Sequence, residues 1–313
     1  MPDTRPIDTD TERPLPRRLA PQPRPARSNR PKFGLFDAVW IVLLTVLTIG
    51  VAYRAVGFGP STTGGLLSAA GTVAALYLLG WRARDRAAGL GAGLLAATSL
   101  PFLHLCAIAP QSALFMLLTI TALFAFVAGS SLAALALAAG ATFFRPDGLL
   151  LGLLLAGLSI MQHRKRSIYG AAVYLAAVPA IWAAQIALGH KSLVLPRFGF
   201  HAEAIHFLAT PACLLLLWFL LPLFAEISEP MRRARWAPVM LWAILTLGVD
   251  LVCAPVSATA MALPLMAVLF ALGGGGLSRL LPTLTGEIPR PFLRYALAAL
   301  AVLTLVGLHW RLE

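Results

Sequence analysis

Residues 132–162 read LAALALAAGATFFRPDGLLLGLLLAGLSIMQ, and how this stretch is read decides the fold. Two apolar runs, 132–144 and 148–162, flank the tetrad Arg145-Pro146-Asp147-Gly148. Each run is short for a bilayer crossing, which takes roughly 20 residues, so they form either two short crossings or one broken helix. Proline and glycine interrupt helices. A cation beside an anion at such a break is tolerated at membrane depth only where it lines water or is buried in protein. The tetrad therefore reads either as a site in which Arg145 holds a phosphate and Asp147 orients a hydroxyl or another loop, or as a turn whose two charges pair.

Outward from this stretch, apolar segments occupy 36–56, 63–81, 87–108 and 112–128 before it and 168–189, 207–225, 237–256, 259–277 and 292–310 after it. With the two short runs that makes eleven. Short cytoplasmic loops are enriched in Lys and Arg, so the basic residues arbitrate between eleven crossings and ten. With eleven crossings and the amino terminus inside, 20 of the 25 basic residues fall on the inner face, and Arg54, Arg145, Lys191, Arg197 and Arg311 fall on the outer face. Fusing 132–162 into one crossing leaves 14 inside and 10 outside, with Arg145 stranded in hydrocarbon. The expected fold is all-α, a polytopic integral membrane bundle of about eleven transmembrane helices with its carboxyl terminus external.

Composition agrees. Of 313 residues, 59% are apolar and 12% charged, against roughly 25% charged in a soluble domain. Residues 1–34 hold 12 of the 38 charged side chains. A water-soluble globule is thereby excluded, and the membrane segments leave no room for a folded extramembrane domain. Residues 1–34 form a Pro- and Arg-rich tail with too little apolar surface for a core, expected to be disordered and cytoplasmic; residues 35–313 form the transmembrane domain. The net charge of +12 reads as a topology signal, and no nucleic-acid partner is expected. Cys106, Cys213 and Cys253 stand in apolar runs without ligand spacing, so neither metal nor disulfide is expected.

This topology collects the chemically varied residues on the outer face. The loop 189–206, GHKSLVLPRFGFHAEAIH, mixes Lys191 and Arg197 with His190, His201 and His206, donors suited to a pyrophosphate, and its Leu, Val and Phe residues also fit an interfacial loop. His201 and His206 with Glu203 between them depart from the HExxH spacing that puts two imidazoles on one helical face. His104 reads as a helix-to-helix hydrogen bond, and Asp250 as facing a cavity or standing near the outer interface. Gly273 to Gly276 reads as a flexible terminus or close-packing feature, and Trp40, Trp81, Trp236 and Trp310 as an aromatic belt.

Three stretches carry a family resemblance: LLSAAGTVAALYLLGWRARDRAAGLGAGLLAATSLPFLHLCAIAPQSALFMLLTITALFAF at 66–126, FFRPDGLLLGLLL at 143–155, and PRFGFHAEAIHFLATPACLLLLWFLLPLF at 196–224. By the order of their features they resemble the GT-C superfamily of polytopic glycosyltransferases, especially its protein mannosyltransferase and aminoarabinose transferase branch, over about residues 40–275. The resemblance implies transfer of a sugar from a polyprenyl phosphate carrier to an acceptor at the outer face of a bacterial inner membrane. It implies that Arg145, Lys191 and Arg197, with His201 and His206, bind the lipid phosphate or substrate, without a cofactor.

The sequence departs from that family at the base. The family's acidic residue follows its first helix, whereas GFGPST at 57–62 contains none, and Pro255 to Ala258 stand where a lysine-tyrosine pair is expected. Three readings follow. The first is an enzyme in which Asp147 or Glu203 serves as base. The second is a catalytically silent relative that binds lipid-linked sugar or scaffolds an envelope-glycan enzyme. The third is a glycolipid transporter or flippase, for which paired broken helices and internal repeats are expected.

Overall fold

A computed structural model of the chain describes residues 33–57, 59–145, 147–161, 165–187, 230–252 and 258–285. Over these residues the chain forms ten helices: α1 Leu35–Val56, α2 Pro60–Ala83, α3 Arg86–Thr98, α4 Leu100–Ile108, α5 Pro110–Ala128, α6 Ser131–Thr142, α7 Asp147–Met161, α8 Lys165–Ala187, α9 Pro230–Val252 and α10 Ala258–Thr285. Nine of the eleven apolar segments expected from the sequence coincide with helices; 207–225 and 292–310 lie outside the described residues. Helices α1, α2 and α5 are each long and apolar enough to cross a membrane, and α3 with α4 makes a fourth span if that bent pair is one crossing. The chain is thus a helical protein with three to four candidate membrane spans among the described residues.

The segment 87–108, expected as one uninterrupted helix, is instead divided. Helices α3 and α4 meet at a 64° bend, with Ser99 extended between them. Pro101 explains the break. It has no N–H to bond the Ala97 carbonyl four residues back and its ring would clash there, yet it is tolerated in the first turn of a new helix.

At 132–162 the structure has two helices rather than one. Helices α6 and α7 pack against each other, with Phe143 to Arg145 closing the end of α6 through bonds to Gly140 and Ala141 carbonyls. Gly148 permits this. A Cβ there would lie 2.5 Å from the Thr142 nitrogen and 2.7 Å from the Ala141 carbonyl carbon, and backbone atoms at those distances cannot swing aside. The glycine is needed for close helix approach as well as for the break.

Helix α3 is the centre of the core. Every residue from Ala88 to Thr98 is buried, although the segment is mostly Ala and Gly and offers little side-chain area. Small residues let backbones touch, which is how helices associate when lipid is as apolar as their side chains. A Cβ on Gly89 would meet the Tyr77 carbonyl oxygen of α2 at 2.3 Å, and one on Gly274 of α10 would meet the Ala88 oxygen and the Ala92 nitrogen at 2.5 Å. The run Gly273 to Gly276 is therefore a close-packing surface inside α10, not a flexible terminus. Helix α1 covers this core on one side and presents Leu35, Val39, Val42 and Val46 outward, a stripe at helical spacing suited to lipid.

The turn from Arg82 to Arg86 ties these helices together. Asp85 caps α3 by accepting from the Ala88 N–H at 2.8 Å. Arg82 donates to the Ala128 carbonyl at the end of α5 at 3.4 Å, and Arg84 donates to the Gly275 carbonyl of α10 at 3.1 Å. Arg86 reaches Asp37 in the first turn of α1, donating through Nε and Nη2 at 2.8 Å each. Asp37 also accepts from the Tyr77 hydroxyl and the Gly34 N–H, both at 2.9 Å. Its four acceptor sites are then filled. The arginines expected only as inner-face anchors also join five helices, α1, α2, α3, α5 and α10.

Two further expectations are corrected. Trp81 and Trp236 are buried in the core, because their rings fill space between helices instead of facing a headgroup belt; Trp310 lies outside the described residues. His104 is exposed on α4 and makes no hydrogen bond among the described residues, since the bend at Ser99 turns it away from the core, where Phe102, Leu103 and Cys106 point.

Candidate functional site

The α6–α7 turn lies at the opposite end of the bundle from the Arg82–Arg86 hub. Phe115, which touches Arg145, is separated from Ala128 along α5 by about 20 Å at 1.5 Å per residue, and Pro264 from Gly275 along α10 by about 16 Å. The turn is also recessed. It stands level with Phe115, Thr246 and Pro264, which are about 7–9 Å inside the near ends of α5, α9 and α10 at the same rise. The short lengths of α6 and α7, about 18 and 22 Å, set this depth.

At the turn, the Arg145 guanidinium and the Asp147 carboxylate form an ion pair through Nη2 and Oδ2. The pairing anticipated as one of two readings is therefore present. The Arg145 guanidinium also lies over the Phe115 ring, 5.0 Å from its centroid, a cation–π contact that strengthens as water is excluded. The two charged side chains remain 17% and 23% exposed, so the pair is recessed without being sealed. Asp147 is the first residue of α7, where the helix dipole favours an anion. Its Oδ1 takes no hydrogen bond among the described residues.

The pair opens into a shallow cleft with enclosed room for about one water molecule, lined by Phe115, Arg145, Asp147, Leu150, Trp242, Leu245, Thr246, Val249 and Pro264. Five elements meet there: α5, the α6–α7 turn, α7, α9 and α10. Trp242 is buried, and its indole N–H, like those of Trp81 and Trp236, has no acceptor among the described residues. One turn further along α9, the Thr246 hydroxyl donates to the Trp242 carbonyl at 2.8 Å, which leaves its oxygen able to accept.

Of the residues that the sequence singles out, the structure brings Arg145 and Asp147 together. Lys191, Arg197, His201, Glu203 and His206 lie outside the described residues, as does the Asp250 side chain at the end of α9. Arg54 is exposed in the last turn of α1. Cys106 is buried in the core as a packing residue. Phe115, Trp242 and Thr246 carry no local motif, and only folding assembles them; Trp242 and Thr246 at i and i+4 on one apolar face are the single trace visible in the sequence. No protein-family model and no curated protein matches the chain.

Proposed function

We propose that this chain is a GT-C-like membrane glycosyltransferase of about eleven crossings that uses a polyprenyl-phosphate-linked sugar at the outer face of a bacterial inner membrane. The observation that carries this reading is the recessed Arg145–Asp147 pair at one end of the bundle, since ionisable groups within apolar helices are expensive and serve binding or chemistry. In this reading the cleft end faces outward and the basic Arg82–Arg86 end faces the cytoplasm. Lys191 and Arg197 hold the lipid phosphate from the outer loop, with His201 and His206 as further donors and Arg145 at the mouth of the cleft. Asp147 or Glu203 accepts the proton of the acceptor hydroxyl as the new glycosidic bond forms and the lipid phosphate leaves.

A second reading is favoured by a specific feature. Helices α1 and α2 are joined by Gly57 to Gly59 alone, which leaves no space for the acidic loop of the GT-C transferases, and Asp147 is already engaged by Arg145. A relative that binds lipid-linked sugar or scaffolds an envelope-glycan enzyme, without transfer, fits that feature. Both readings require phosphate binding. Charge-assisted contacts to phosphate contribute about 1.5–3 kcal/mol each, so Arg145→Ala or Arg197→Ala weakens polyprenyl phosphate binding about tenfold or more in a detergent-solution titration. Arg233→Ala, proposed for the inner face, leaves it unchanged. Equal losses in all three would indicate general attraction to anionic headgroups and refute the site.

A further inference from the structure

The Arg145–Asp147 pair obstructs the ligand that Arg145 is read as binding. A guanidinium grips phosphate best through two parallel N–H donors, and its two bidentate edges, Nε with Nη2 and Nη1 with Nη2, share the Nη2 nitrogen. Asp147 Oδ2 accepts from that nitrogen. The carboxylate therefore fills one edge and stands beside the other, where an arriving anion meets like charge at close range. One face of the guanidinium is closed as well, by the Phe115 ring 5.0 Å away, and Phe115 is itself buried. Both charged side chains stay partly exposed, so a phosphate at the mouth of the cleft competes with the carboxylate for the same cation. This competition needs no room inside the cleft.

We propose that Asp147 is an autoinhibitory counter-ion of Arg145, a built-in competitor that a lipid phosphate displaces as it binds. This rests on the reading of Arg145 as a phosphate ligand. The exchange has two sides. Without lipid, the recessed turn carries a neutral pair in place of a bare cation, which would be expensive among apolar helices. With lipid, the phosphate neutralises Arg145 and Asp147 loses its cation, which returns to the carboxylate the freedom that a base needs. The engagement of Asp147 by Arg145 is then a resting state of the site.

Binding of farnesyl phosphate to the full chain in detergent tests this. The expected result is that Asp147→Asn binds it about tenfold more tightly than wild type, because the amide keeps a carbonyl oxygen for Arg145 but no charge to set against the phosphate. Asp85→Asn removes a carboxylate at the other end of the bundle, beyond a Debye length, and leaves the affinity within about twofold of wild type. If Asp147→Asn binds no more tightly, or if Asp85→Asn gains as much, the inference is overturned, and the phosphate reading stands as long as Arg145→Ala weakens binding. If Arg145→Ala binds as tightly as wild type, both fall. Should Asp147→Asn fail to fold, Asp147→Ser, which also suits a helix start without charge, takes its place. Failure of both to fold would make the carboxylate a structural requirement and overturn the inference as well.

Discussion

Arg86→Met lowers the unfolding free energy by about 3–5 kcal/mol, the range for breaking a buried pair by removing one partner. Asp37 is 0% exposed and Arg86 31% exposed, so the two halves of the pair are not equivalent. Without Arg86 the carboxylate keeps only the Tyr77 and Gly34 donors and cannot reach water. Without the carboxylate, Arg86 can extend its head toward the aqueous end of the bundle while its stem stays against Phe36, over whose ring it lies at 5.3 Å. Asp37→Asn therefore costs less than Arg86→Met, and the double variant recovers part of the loss. Unfolding in detergent, followed by the fluorescence of the buried tryptophans, measures all three. Equal costs for the two single variants, or full additivity in the double, would contradict the account of this hub.

Asp147→Asn lowers sugar transfer by about 10²-fold or more, the usual contribution of a general base, if the chain is an enzyme and Asp147 is its base. The substitution keeps the side chain's shape at the start of α7 and a carbonyl oxygen for Arg145, so binding of polyprenyl phosphate is not lost in parallel. Glu203→Gln is the matching variant on the outer loop. The two separate by result: whichever lowers turnover without lowering binding is the base. If neither does, and no polyprenyl-linked sugar is transferred by the wild type, the silent relative replaces the enzyme.

Much of the helical plan was legible because apolar periodicity and length are local properties. The separation of α6 from α7 followed from Arg145, Pro146, Asp147 and Gly148 read together with the distribution of basic residues. What stayed hidden depends on pairs distant in sequence. Asp37 lies 49 residues from Arg86, and neither has a motif that names the other, although a lone carboxylate in the first turn of an apolar helix is itself a sign that a partner exists. The bend at Ser99 is signalled by Pro101, which cannot bond the carbonyl four residues back, but the continuous hydrophobicity of 87–108 hides it. The burial of Trp81 and Trp236 was not legible, because position near a helix end sets depth and says nothing about which side of the helix faces protein. The cleft was half legible: its charges stand in one tetrad, whereas Phe115, Trp242 and Pro264 arrive from three other helices.

The central claim, that the recessed end of this bundle holds a polyprenyl-phosphate-linked sugar, is tested most directly by mass spectrometry of lipids that copurify with the full chain from native membranes. The account predicts polyprenyl phosphates carrying a sugar in the wild-type preparation, depleted in Arg145→Ala and retained in Arg233→Ala. Preparations that contain only bulk phospholipid, or that carry the same polyprenyl species in all three proteins, would contradict it.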